Sequence, residues 1–551
     1  MSPNDNIEML PEAYPCDVRF SDQYSIFCIG LNHKVNDGSI KDGKSTICKD
    51  LEDEGWKPHP SIHNLEITKK FSIFTPQADS SIYGDTKWDD KLPLGQWLKK
   101  RLHSTEGERG SSEPVLLRRD VNQQFNTVGG PSESSIAFKV HWVDLWLFPD
   151  ESAILSFKTQ LESLESELNV SQISDFHRKI RDTALHPLRV VRSGAEGAKD
   201  ELFWQDVVIQ TFLKEGRCLG FSSIDECVSA FDPYQRNAKV LMAAQMKPTD
   251  EEEGLAWGRP LMDPPIRLQR KHEHLIETGE WDVALQAARS SIVAGYATVR
   301  DMVLFELATV SNEKGAAGWN GDKKFQYSLE YVRRMIEDNF VEVWEYWNAL
   351  ILRDTCTMVA FDPSMPLLTD NNHPEKLGQV ETRYYPLYVY AYHQRYRLDR
   401  LSEELVDDNL SDVMKAQELR ESFLRFRNRY WFHEVTTDFL GKEVFEKMKI
   451  GLGTERAHEM VQDEVDRIAG YVREKWQART AILIAVWTAI TGIAALPHGG
   501  LLVFSVFVFI GLLIGSLIMG FSPSKKLLDW VLIKAKSVYK KFLAMDLMRG
   551  A

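Results

Sequence analysis

The sequence predicts an α+β cytosolic domain followed by long antiparallel helices, a stalk helix and two C-terminal transmembrane helices. Three observations lead there. Two uncharged apolar runs, Ala481–Leu496 and Leu501–Phe521, stand near the C-terminus with only Pro497-His498-Gly499-Gly500 between them. A proline-free helical pattern, with Val461, Val465, Ile468, Val472 and Trp476 at spacings of three or four, leads into the first run. Further back, alternating aromatic and β-branched stretches give way near Lys323 to longer helical periodicity.

The second run holds 21 residues and no charge. At about 1.5 Å per residue it matches a hydrocarbon core of roughly 30 Å. The first run holds 16 residues, Thr488 and Thr491 among them. It reaches spanning length with help from Thr480 and Pro497, or in a thin membrane. The alternative is a buried helical hairpin in a soluble core. Lys and Arg are missing from the short loop, whereas Arg467, Arg473, Lys475 and Arg479 precede the first run and Lys525, Lys526, Lys534, Lys536, Lys540 and Lys541 follow the second. The positive-inside rule then predicts an integral protein of the inner or plasma membrane, with both termini cytoplasmic. The tail Ser524–Met548 reads as an amphipathic helix on anionic lipid or as a plain helical tail.

With 551 residues, the part before the runs has room for two or three domains. The formal net charge of −14 argues against bulk nucleic-acid binding. The N-terminus lacks the basic, apolar and small-residue succession of a cleavable signal peptide. Six dispersed cysteines without a C-x-x-C pair read as reduced, structural thiols.

In chain order, Asp17–Leu31 reads as a strand or strand pair. Gly38–Ser45 matches the pattern G-x-x-x-x-G-K-[ST] in full, which nominates Gly43, Lys44 and Ser45 for nucleotide phosphates. The polar residues before Gly38 and the turn sequences Asn-Asp-Gly and Lys-Asp-Gly favour a loop. Gln77–Leu94 and Ser104–Glu113 read as polar loops. IAFKVHWVDLWL (Ile136–Leu147) and AILSFKTQL (Ala153–Leu161) read as an antiparallel hairpin. Helices are expected at Ser174–Ala184 and Lys199–Leu213, and strands at Asn237–Met246 and Ala297–Leu307. The acidic run Thr249–Glu253 reads as a solvated loop, and His272-Glu273-His274 as no metal pair, since histidines two apart leave a helix on different faces. Long helices are expected at Phe325–Asp354, Tyr384–Asp408, Ser411–Lys449 and Glu455–Leu496. The Arg- and aromatic-rich stretch Phe423–Val435 reads as helix packing through cation–π contacts and ion pairs. No enzyme motif is present: there is no G-x-S-x-G, no H-E-x-x-H, and no G-x-G-x-x-G opening a helix.

The order of cytosolic α/β domain, long helices, stalk, first span, tiny loop, second span and basic tail resembles the CorA superfamily of divalent-cation channels over roughly Lys323–Lys541. The resemblance implies a homopentamer whose first spans line a pore, with Mg²⁺ or another divalent ion as substrate or regulator and no other cofactor. The family's Gly-Met-Asn signature is replaced here by Gly492-Ile493-Ala494. On this reading Thr480, Thr488, Thr491 and Gly492 line the pore, with helix packing as the alternative for the threonines. Pro497 and His498 form the outer loop, and Asp463 and Asp466 concentrate cations on the stalk. The expected organisation is a sensor region of one or two domains over 1–320, long helices over 321–453, stalk and spans over 454–521, and a basic tail over 522–551. The expected function is a CorA-like oligomeric cation channel gated by its cytosolic domain. The alternatives are a ligand-gated membrane effector of a prokaryotic antiviral defence system that answers a nucleotide messenger, and a membrane-anchored P-loop nucleotide-binding protein. The expected partners are therefore lipid, further copies of the chain and a small nucleotide.

Overall fold

The strand β1, Arg19–Asn32, lies near the middle of a twelve-stranded mixed sheet. A computed structural model describes residues 19–32, 55–58, 114–128, 135–148, 150, 152–162, 168–181, 188–194, 199–212, 238–247, 299–310, 329–341, 347–360, 367–368, 378–406, 413–432 and 434–494. The further strands are β2 (Lys57–Pro58), β3 (Val115–Thr127), β4 (Ala137–Leu147), β5 (Ser152–Glu162), β6 (Leu168–Asn169), β7 (Arg189–Arg192), β8 (Glu201–Leu202), β9 (Lys239–Lys247), β10 (Phe340–Val341), β11 (Trp347–Ile351) and β12 (Thr355–Ala360). Their order is β10-β11-β12-β9-β1-β5-β4-β3-β7-β8, with β2 added at β3 and β6 at β1. All pairings are antiparallel except β9 with β12.

The helices are α1 (Val170–Arg181), α2 (Val299–Thr309), α3 (Leu329–Asn339), α4 (Tyr385–Val406), α5 (Val413–Tyr430), α6 (Phe439–Leu452) and α7 (Thr454–Ala494), together with π-helical segments at Phe203–Phe212 and Val380–Tyr384. Alternation along the strands sorts these elements onto two faces. On one face Phe27 and Phe138 meet Phe176 of α1, and Phe157 meets Phe203 and Trp204. On the other, Trp142, Trp146 and Ser156 meet Tyr385. Gly30 approaches α4 so closely that a Cβ there would lie 2.5 Å from the Tyr396 ring. Beyond Cys28, which lies opposite the first residue of β9, the Gly30 amide donates instead to the Tyr392 hydroxyl at 2.8 Å. Apolar burial on both faces supplies the main stabilisation of such a layered core.

The hairpin expected over Ile136–Leu161 is present as β4 and β5. The turn is closed by Phe148 N donating to Ser152 O at 2.9 Å and by Ser152 hydroxyl donating to Asp150. The strand at Ala297–Leu307 is instead helix α2, in which Val303 to Ala308 are all buried. A short, fully buried run carries no readable period. The helix at Phe325–Asp354 ends at Asn339, and β10 and β11 follow, where pairing with β12 outweighs local helical pattern. The helix at Ser411–Lys449 is two helices, because Asp438 caps a new one by accepting from Gly441 N at 3.3 Å. The π-helical Phe203–Phe212 occupies the helix expected at Lys199–Leu213.

The fold class and the membrane placement are both corrected. Among the described residues no helix is long and apolar enough to cross a membrane. Helix α7 has 41 residues, but charged side chains recur from Glu455 to Arg479. The described uncharged part, Thr480–Ala494, is about 22 Å long, short of a hydrocarbon core of roughly 30 Å. The second expected span lies outside the described residues, as do the loops at Gln77–Leu94 and Ser104–Glu113, the acidic run Thr249–Glu253 and the sequence His272-Glu273-His274. The described chain is thus a large mixed sheet with helices, in place of the CorA-like two-span architecture and the inner- or plasma-membrane location expected from it.

The chain divides into two compact units. One comprises 1–402 and 424–460, the other 403–423 and 461–551. The first holds the sheet. Among the described residues of the second, the buried apolar side chains are Leu405, Ala416, Phe423, Val461, Val465 and Ile468.

Candidate functional site: an ionic seat beneath the central helix

The π-turn Val380–Tyr384 opens directly into α4 and lowers Glu381 onto the sheet. Three donors converge on its carboxylate: Lys158 Nζ at 2.6 Å, Trp142 Nε1 at 2.9 Å and Arg118 Nη1 at 3.4 Å. Each comes from a different strand, and the registers Arg118↔Asp144 and Trp142↔Lys158 bring them side by side. Arg118 also grips Asp144 with both arms of its fork, Nε to Oδ1 at 2.6 Å and Nη2 to Oδ2 at 2.8 Å. The Tyr385 hydroxyl donates to Asp144 Oδ2 at 3.0 Å and accepts from Trp146 Nε1 at 3.0 Å. Arg118 stacks over the Trp142 ring and Lys158 over the Tyr24 ring, each 4.0 Å from the centroid.

Electrostatics follow from this geometry. Burial pushes the Glu381 carboxyl upward, but Lys158 and Arg118 outweigh it and hold the group below its usual value. At Asp144 the balance reverses: burial wins over Arg118, and the carboxyl is raised. Arg118 stays charged, since Asp144 and Glu381 overcome its own burial. Two cations therefore face two carboxylates, and only the cations reach solvent, with side-chain exposures of 11% for Arg118 and 15% for Lys158 against 0% for Asp144 and 2% for Glu381.

A second contact fixes α4 farther along. His393 Nε2 lies 3.2 Å from Asp150 Oδ2 and 3.0 Å from Ser152 Oγ, with its ring stacked 3.7 Å from that of Phe148. Serine and aspartate meet the same ring nitrogen, so this is no relay in which a base sits between acid and nucleophile. It clasps the β4–β5 turn to the helix. Ser25 and His177 form a buried pair 2.5 Å apart on the other face. Burial lowers His177 to about 3 and keeps it neutral.

The residues nominated from the sequence fall elsewhere. Asp463 and Asp466 are exposed on α7, away from the buried Val461, Val465 and Ile468. Thr480 and Thr488 are exposed, and each hydroxyl donates to its own helix, to Trp476 O and Ile484 O at 2.8 Å. Thr491 and Gly492 lie in the last turn of α7. Pro497, His498, Gly43, Lys44 and Ser45 lie outside the described residues. Among the described residues no group of three or more His, Cys, Asp or Glu is placed to hold a metal ion. Cys28 and Cys356 are buried free thiols, pushed up by burial.

Sequence reasoning missed Arg118, Asp144, Lys158 and Glu381. The signal was there for two of them. Asp144 sits between the inward Trp142 and Trp146, and Lys158 interrupts an apolar strand; each is a charge on a face that alternation assigns to the core. Fold and seat together define the class, among the described residues, as a mixed-sheet protein of strands and helices with an ionic seat under helix α4 and a 41-residue helix α7. No protein family matches the chain, and neither does any curated protein or solved structure.

Proposed function

We propose that the chain is a ligand-responsive regulatory protein that works as an assembly of copies, with the sheet receiving the signal and helix α7 delivering it. The supporting observation is that, besides the His393 clasp, polar contacts grip α4 at two further places. Glu381, in the π-helical turn that leads into it, is seated among Lys158, Trp142 and Arg118. Farther on, Arg395 Nη1 donates to the carbonyl of Gly453, the residue that immediately precedes α7. A rigid helix held by discrete polar contacts at both places moves as one piece when either contact changes.

The root of α7 is well anchored. Thr454 is buried, and His458 stacks on Trp431 at 4.0 Å. Beyond the root, Tyr471, Trp476 and Ile484 are exposed. A helix about 60 Å long that carries such side chains suits association between copies. Ion conduction is not part of this proposal: among the described residues no helix is long and apolar enough to cross a membrane.

Sedimentation of the full chain tests the reading. The wild type is expected to form a discrete oligomer, and Tyr471→Lys combined with Trp476→Lys to shift it toward monomer with its thermal midpoint retained. A wild type that stays monomeric across the accessible concentration range sinks the proposal. Arg395→Ala is expected to leave the assembly intact but to remove its dependence on the state of the seat.

A further inference from the structure

Resting on the reading of the sheet as the receiving part, the geometry points to the Glu381 seat as a binding site for a small phosphate-bearing molecule, whose place Glu381 holds. The donor set is richer than a carboxylate needs. An ammonium, a guanidinium and an indole N–H already serve its two oxygens. A fourth donor, the Tyr24 hydroxyl, is buried and makes no hydrogen bond among the described residues. It belongs to the ring that carries the Lys158 ammonium. Burial raises the pKa of this phenol, and the charges of Glu381 and Asp22 raise it further, so it keeps its proton and stays a donor. A tetrahedral oxyanion offers the additional acceptor that this phenol lacks.

Charge selects an anion. With Glu381 withdrawn, Arg118 and Lys158 face Asp144 alone, which leaves one positive charge over. Arg118 is already oriented by its two-pronged grip on Asp144. The Trp142 ring, packed against both that guanidinium and Tyr385, keeps the indole N–H pointed at the seat. The backbone supplies the exit. Glu381 stands on a π-turn, a wide turn that holds one residue more per hydrogen-bonded loop than an α-turn. Rewinding by one residue rotates the carboxylate away from the seat, by about 100° on a helix of 3.6 residues per turn. Ligand binding would therefore be coupled to the register of α4 at its first turn.

The test uses the full chain and inorganic phosphate as the probe, with chloride at matched ionic strength as the reference. Thermal midpoints are read for wild type, Glu381→Gln, Glu381→Ala and the double variant Lys158→Met/Glu381→Ala. The expected result is a saturable rise in midpoint with phosphate that is larger in both Glu381 single variants than in wild type and absent from the double variant. Glu381→Gln keeps an acceptor for Trp142, so it carries the test if Glu381→Ala does not fold. An equal phosphate response in wild type and all variants, or no response in either single variant, overturns the seat. Sedimentation of Glu381→Gln with and without phosphate separates the two proposals. Saturable binding with an unchanged assembly keeps the seat and removes the relay, whereas an assembly insensitive to both substitution and phosphate, with no binding, removes both.

Discussion

Arg395 donates to the backbone carbonyl of Gly453 at 2.7 Å, so one guanidinium ties the middle of α4 to the residue between α6 and α7. Asp399 holds that guanidinium from one turn on, with Nη2 to Oδ1 at 2.7 Å. Gly453 has φ of 67°, in the left-handed region, where its amide closes α6 onto Ile450 O. A Cβ at this position would meet Arg395 Nη1 at an ordinary 3.6 Å, so space is not the obstacle. Gly453→Ala is expected to cost about 1–2 kcal/mol through the backbone alone. Urea midpoints of the single variant and of Gly453→Ala with Arg395→Ala should show the two costs adding, if strain rather than lost contact is the cause.

Gly30 and Tyr396 set a tighter limit. An aromatic ring 2.5 Å from a would-be Cβ cannot swing aside as the tip of a lysine would. Gly30→Ala is expected to destabilise by roughly 1–3 kcal/mol or more, the range of overpacked cores. Combining it with Tyr396→Ala should cost less than the sum of the two, which denaturant titration of the four proteins measures. A strictly additive result would place the clash elsewhere.

Glu306 in α2 is buried and has one carboxylate oxygen without a hydrogen bond. Burial raises its pKa from 4.5 to about 7. Below its unfolded value both states carry the proton and nothing is lost. As pH rises toward 7 the unfolded chain ionises first, so stability falls, and above 7 the whole penalty is present, about 3 kcal/mol at most. Glu306→Gln should therefore leave the thermal midpoint nearly unchanged at pH 4 and raise it at pH 8. A larger gain at pH 4 than at pH 8 contradicts this account.

Glu381 titrates with the opposite sign. Its carboxyl is held below the usual value by Lys158 and Arg118, despite burial. The stability it supplies is present above the unfolded pKa and is lost as pH falls through the folded one. Glu381→Gln, which strands Lys158, is expected to cost about 3–5 kcal/mol at pH 7, as broken buried pairs do. Lys158→Met should recover part of that loss in the double variant. Acid titration of the urea midpoint should be shallower for Glu381→Gln than for wild type.

Much of the sheet was legible because β1, β4 and β5 are long and rich in aromatic and β-branched residues, and α4 and α7 because their periods are long. Elements whose residues are buried on every side were not. In α2 the whole run from Val303 to Ala308 is buried, and in β11 every residue is, so no face distinguishes helix from strand. The strand β12, parallel to β9, had no local cue at all, since its partner lies in a distant part of the chain. Of the seat, only Asp144 and Lys158 left a local mark, as charges on core-facing positions. Glu381 follows no motif, and its partners come from three strands that only the sheet register aligns. The membrane reading weighed both the length and the lack of charge of the two C-terminal runs, of which the described residues hold only part of the first. In α7 the charges reach Arg479.

The position of β1 also dictates when the protein can begin to fold. Phe27 pairs with Phe157 on one side and with Val240 on the other, and β9 in turn waits for Thr355–Ala360. At about 5–20 residues per second, translation takes on the order of ten seconds or more to carry the ribosome from β1 to β9. Throughout that interval the earliest strand, with Phe20, Ile26, Phe27, Ile29 and Leu31 destined for the core, has at least one open edge. Such an edge is a template for pairing with a neighbouring nascent chain. Synthesis is therefore expected to depend on chaperones that hold the N-terminal strand, and slowing translation after residue 32 should lower the soluble yield more than slowing it after residue 360.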